Sequence, residues 1–194
     1  GALAAVLLPS LLETGEAEKR STTLTTMHQL ETGINGFARN ANWLPPDDLK
    51  SPDEKTIKTA WKGDNGRNTG IESLVCFLSQ SRREGMDLGG LAQFFVNTDG
   101  DDHGVELPLL KKRERIEIAD RWGTPLAYFG KFGFDKPQQM VLAEGEVVAV
   151  KAKKRPDGHY YGEGRFQLLS AGSDRTFGTE DDLDYLLGYT RARA

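Results

Sequence analysis

With a single cysteine, Cys76, in 194 residues, the chain cannot close an intramolecular disulfide, and it has no C-x-x-C or Cys/His set to hold structural zinc. Cys76 falls in the apolar run Leu74-Val75-Cys76-Phe77-Leu78, where a small buried hydrophobe is expected rather than a reactive thiol. No apolar run reaches bilayer-spanning length: Ala2 to Leu12 is apolar except for Pro9 and Ser10 and is too short to cross alone. Positive charge is not in excess either. A net charge of -4 and a pI near 5.5 argue against a general nucleic-acid binder. The basic clusters Lys111-Lys112-Arg113 and Lys151 to Arg155 read as solvated edges. The nucleotide-binding G-x-x-x-x-G-K-[ST] loop, the H-E-x-x-H zinc helix and the G-x-S-x-G elbow are all missing. His28, His103 and His159 have no nucleophile near them in sequence, so they read as surface or packing residues, and no enzyme is expected.

What is present suits one globular domain, at 38% hydrophobic and 28% charged residues. From Leu3 to about Arg39 the pattern is helical: Leu24, Met27, Leu30, Ile34 and Phe37 recur at steps of three and four. Glu13 to Thr23 is mostly polar, with Glu16 spaced to pair with Lys19 or Arg20, so that stretch is expected to meet solvent. At 1.5 Å per residue the helix would be roughly 55 Å long, against a domain diameter of roughly 40 Å, so it must protrude. Its apolar start then needs a membrane or other subunits to cover it, and Pro9 should kink or loosen it. The absence of an initiating methionine suggests the tail of something longer. A signal-peptide remnant is less apt, because the helical pattern continues where a cleavage site and turn would fall.

Trp43-Leu44-Pro45-Pro46 ends the helix, and Gly63 to Gly70 reads as an exposed loop. Ile71 to Ser79 suits a short helix. Strands are expected at Leu126 to Phe129, Gln139 to Leu142, Glu146 to Ala152 and Arg165 to Leu169. The plan is α+β, a long N-terminal helix (residues 1–40) packed on a small antiparallel sheet within a head of residues 41–194.

Two acidic segments invite a cation. The turn Asn97, Asp99, Asp101 begins like an EF-hand loop, but its sixth position is Asp102 and its twelfth Pro108, so it reads as a surface turn. The segment from Ser170 to Asp184 is richer, with five carboxylates and two glycines. Water, a cation or a basic partner must compensate so many negative groups. Asp174, Asp181 and Asp182, with Ser170 or the carbonyl of Ala171, are the first choices for a hard cation such as calcium, and a solvated acidic loop is the rival reading.

Three segments together resemble the type IV pilin-like superfamily, most closely the major pseudopilins of bacterial type II secretion systems. Gly1-Ala-Leu-Ala-Ala-Val-Leu-Leu-Pro9 resembles the second half of that family's N-terminal helix. Asp120-Arg-Trp-Gly-Thr-Pro125 followed by Leu126-Ala-Tyr-Phe129 is similar to its D-P-W-G-N-P-Y-x-Y segment. Leu169-Ser-Ala-Gly-Ser-Asp174 with Gly178-Thr-Glu-Asp-Asp182 resembles its C-terminal calcium loop. Arg121 stands where the family has proline and Arg175 where it has glycine, and Asp47 to Arg115 matches poorly, as an insertion would.

The resemblance implies that Asp174, Asp181 and Asp182 bind calcium, with the Ala171 carbonyl and Asp184 as further ligands. It implies a structural subunit that waits in the inner membrane, held by its N-terminal helix, and then assembles with copies of itself into a helical filament of the periplasm or cell exterior. Other pseudopilins and inner-membrane assembly proteins would be its partners, protein secretion its role, and amine methylation its processing; no nucleic acid is expected. The family's upstream half-helix is not part of this sequence. A type IV or minor pilin of adhesion or DNA uptake is the nearest alternative, and a secreted calcium-binding module is another. With one cysteine, a calcium clip would replace the disulfide that closes related pilins.

Overall fold

The structure, a computed structural model, describes residues 2–50, 64–80, 85–102 and 106–186, with side chains described between 14 and 184 within those stretches. The side chains of the apolar start, Ala2 to Leu12, and the whole of His103 therefore lie outside the described residues.

Helix α1 runs Ala2–Ala41 and continues through Pro9. Its periodic stripe is buried: Met27, Leu30 and Ile34 have no exposed surface and Phe37 almost none. Between Thr14 and Thr22 no side chain is buried, and Glu16 pairs with Lys19 at 2.9 Å on the solvated face. Burial begins at Thr23. Among the described residues, no helix is long and apolar enough to cross a membrane.

Helix α2, Thr69–Leu78, is buried from Gly70 onward, and Cys76 is indeed packed inside, its thiol pushed well above the ordinary range by desolvation. A 3-10 turn, Gly89–Phe94, leads into β1 (Phe95–Val96), which pairs antiparallel with β2 (Glu117–Ile118). β3 (Ala127–Phe129), β6 (Gln167–Ser170) and β7 (Leu183–Leu186) form an antiparallel sheet in the order β3-β6-β7. β4 (Gln138–Val141) and β5 (Val147–Val150) make a separate hairpin. Gly145, at φ 83°, makes the hairpin turn, a conformation that costs glycine little.

The β3-β6 pair is covered on both faces, as the period of two requires. Tyr128 and Leu168 join the core built with α1 and α2, whereas Ala127, Phe129 and Leu169 face Met140 and Val150 of the hairpin. The four expected strands are present with shifted ends. The sequence reading missed β1, β2 and β7, which are too short or too mixed to announce themselves. It also took Gly63 to Gly70 for an exposed loop, but Asn68 and Gly70 are buried because α2 begins there, against β4.

Candidate functional site

The acidic loop spans the connection from β6 to β7, and its two arms touch. Gly172, at φ 70°, lies so close to the returning strand that a Cβ there would sit 2.4 Å from the Asp181 carbonyl oxygen. Only glycine permits that approach. The Asp181 carboxylate ties the arms together: Oδ2 accepts from Ser173 Oγ at 2.7 Å and Asp174 N at 2.9 Å, and Oδ1 from Thr179 Oγ1 at 2.7 Å. The Thr179 and Ser173 hydrogen bonds hold its carboxyl well below the usual carboxylate range.

Asp174 is exposed and uses Oδ1 to accept from Thr176 N at 2.7 Å, and Ala171 is buried at the end of β6. Asp182 Oδ2 accepts from Gly178 N at 2.9 Å and lies 3.2 Å from Lys153 Nζ, which also contacts Asp184 at 3.2 Å. Lys153 is thus a basic partner for the loop, although its cluster reads in sequence as a solvated edge. One atom is left over: Asp182 Oδ1 is buried with no hydrogen-bond partner. That orphaned oxygen is open to a hard cation, but both Asp181 oxygens are spent on hydrogen bonds within the loop and Lys153 faces Asp182. Among the described residues, the groups of three acidic side chains near enough to share an ion lie elsewhere. Arg175, where the resembled family has glycine, adopts φ 58°, a left-handed conformation that glycine would take more cheaply.

The loop is fastened to α1 by the Asp120 turn. Ser170 Oγ donates to Asp120 Oδ2 at 2.7 Å and accepts from Gly172 N at 3.1 Å. Asp120 Oδ1 accepts from Trp122 N and Thr124 N. Arg121 N in turn donates to Thr23 Oγ1 at 3.1 Å, and Trp122 Nε1 to Glu16 Oε2 at 2.7 Å. Two of the segments that carry the family resemblance therefore meet in space, and both lead to the helix.

A second acidic site escaped the sequence reading. Asp64, Glu72 and Asp101 have carboxylate oxygens all within 4.8 Å of one another, and so do Glu72, Asp99 and Glu117. Neither grouping draws on the C-terminal loop. Glu72 is fully buried, and desolvation, then Asp101, Asp99 and Glu117, push its carboxyl up to about 11. Burial likewise lifts Glu117 to about 7 against the hydrogen bond from Asn68, and Asp101 to about 6. The Asp-x-Asp turn read as a surface turn thus faces two buried glutamates. The signals in sequence were a lone acidic residue within the apolar α2 pattern and that Asp-x-Asp spacing. His28 and His159 are exposed beside Glu31 and Glu163. Comparisons with protein-family models, with curated proteins and with solved structures each returned no match.

Proposed function

We propose that the chain is a structural subunit of a helical filament of the type II secretion pseudopilus kind, held in the inner membrane by its N-terminal helix before it assembles in the periplasm. The observation that carries this reading is helix α1 itself. Forty residues long, it is buried against the head from Thr23 onward, whereas Thr14 to Thr22 has no buried side chain and meets the head through Glu16 and Trp122; the apolar start before it would be left for a membrane or for other copies of the chain. A head-to-tail contact that repeats without closing builds an open filament. Copies of the chain, other pseudopilins and inner-membrane assembly proteins are the partners this implies.

Asp174, Asp181 and Asp182, with the Ala171 carbonyl, would hold calcium, and Asp184, which shares Lys153 with Asp182, would be a further ligand. The ion would supply positive charge where β6 and β7 approach, doing the work of a disulfide. Ser170 and Asp120 would carry that rigidity to the base of α1.

Negative-stain microscopy of the protein expressed from its complete gene with its neighbouring genes tests the assembly. Filaments containing this chain are expected, and a monodisperse soluble product would refute it. Hydrogen exchange tests the clip: calcium should slow exchange across 171–182 in the parent and leave Asp181→Ala unchanged. Equal exchange with calcium and with chelator in the parent removes calcium from the reading.

A further inference from the structure

We propose that Asp64, Glu72, Asp99, Asp101 and Glu117 form a second calcium site, centred on the fully buried Glu72 and independent of the C-terminal loop. Four separate chain segments build it: the loop before α2, the first turn of α2, the turn after β1, and β2. They bring together two triads of carboxylates that share Glu72. Among the described residues, Arg115 is the cation paired with them, its Nε 3.2 Å from Asp101 Oδ2 and 3.9 Å from Glu72 Oε2. One guanidinium cannot balance five carboxylates.

Hydrogen bonds settle two of the others, and Asp101, whose oxygens have no hydrogen-bond partner, has the Arg115 ion pair instead. Glu117 accepts from Asn68 Nδ2 at 2.7 Å and from Thr98 N at 3.1 Å, and Asp64 accepts from Thr69 Oγ1 at 3.2 Å. Glu72 is different. Neither of its oxygens has a hydrogen-bond partner, and the Arg115 contact at 3.9 Å is beyond hydrogen-bond reach. Asp99 Oδ2 is buried and unpartnered as well. An ionised carboxylate buried with no donor is costly, and the groups beside it are further acceptors, so only a proton or a cation answers the need. A hard cation would satisfy Glu72 and the acceptors around it together, which one proton cannot. An all-oxygen set of this size matches calcium, which takes six to eight such ligands in adaptable geometry, better than the strict octahedron of magnesium. Glu72 also lies in the first turn of α2, where the helix dipole favours negative charge.

Calcium binding to the full chain, measured by equilibrium dialysis with calcium chloride in an Asp181→Ala background, isolates this site from the C-terminal loop. That background should bind one calcium per chain. Adding Glu72→Gln, which keeps side-chain size, should abolish the binding while circular dichroism stays unchanged. Asp99→Asn, at a half-buried position, should weaken it about tenfold or more, because calcium affinity follows ligand charge, and it decides the matter if the glutamine variant does not fold. The proposal is overturned if Asp181→Ala binds no calcium, or if Glu72→Gln or Asp99→Asn binds it as tightly as the background. Failure of the loop site would show instead as parent and Asp181→Ala binding alike.

Discussion

An Asp120→Ala variant is expected to melt about 6 to 12 °C below the parent, from a loss of about 3 kcal/mol in a chain of this size. Asp120 is 4% exposed, and its two oxygens receive the backbone N–H groups of Trp122 and Thr124 and the hydroxyl of Ser170. Truncation leaves three donors without their acceptor, and hydrogen bonds to a charged group are each worth about 1.5 to 3 kcal/mol. The full sum is not reached, because alanine also relieves the desolvation that holds this carboxyl above its ordinary range. Asp120→Asn retains one acceptor oxygen and should recover about half the loss. Thermal melts by circular dichroism decide the point. An alanine variant within about 1 °C of the parent would mean that the turn is held by Gly123 and the β3-β6 pairing alone.

The same residue marks how far the sequence could be read. The stripe from Leu24 to Phe37 was legible because a helix repeats its buried face every three to four residues, and that signal is local. The β3, β4, β5 and β6 strands were legible for the same reason, each being an apolar run closed by turn residues. The bonds from Asp120 to Ser170 and from Arg121 to Thr23 span 50 and 98 residues. Nothing in local pattern encodes such distances. Lys153 was read as a solvated lysine because its partners, Asp182 and Asp184, are brought to it only by the β6-β7 pairing.

The buried carboxylates around Glu72 illustrate the limit most sharply. A calcium loop of the EF-hand type keeps its ligands within one short segment, so spacing can find it. Here Asp64 and Glu117 come from opposite ends of the head's first half, and Asn68 fixes one of them. Its side chain donates to Glu117 and Thr98 and accepts from Val141 N at 2.8 Å, joining the start of α2 to β2 and β4. The acidic loop after β6 was conspicuous because its charges are contiguous. The more deeply buried site was not, because its charges become neighbours only when the chain folds.

Phe77→Ala is expected to cost about 4 kcal/mol and to lower the melting temperature by about 8 to 16 °C. Phe77 has no exposed surface and stands edge-on to two other rings: Phe37 at 6.1 Å and 80°, and Trp43 at 5.4 Å and 87°. Phe37 and Trp43 meet at 4.8 Å and 80°, which closes the trio. Deleting a buried phenyl ring removes its transfer free energy and leaves a cavity, and each edge-to-face pair adds about 0.5 to 1.5 kcal/mol beyond burial. Phe132, 80% exposed, is the control, and alanine there should shift stability by no more than about 0.5 kcal/mol. The trio also joins two elements: Phe37 lies in the last turns of α1, Trp43 just beyond it, and Phe77 on α2. It clamps the C-terminal end of the long helix to the head, while the bonds from Trp122 and Arg121 hold α1 further toward its N-terminus, at Glu16 and Thr23. In the proposed filament, those two attachments would carry force between head and stem. Phe77→Leu, which refills most of the volume, should restore most of the stability, whereas Phe77→Ala should yield fewer filaments even at temperatures where the head remains folded. Normal filament yield from a Phe77→Ala head whose melting temperature has fallen as expected would show that the clamp stabilises the fold without serving assembly.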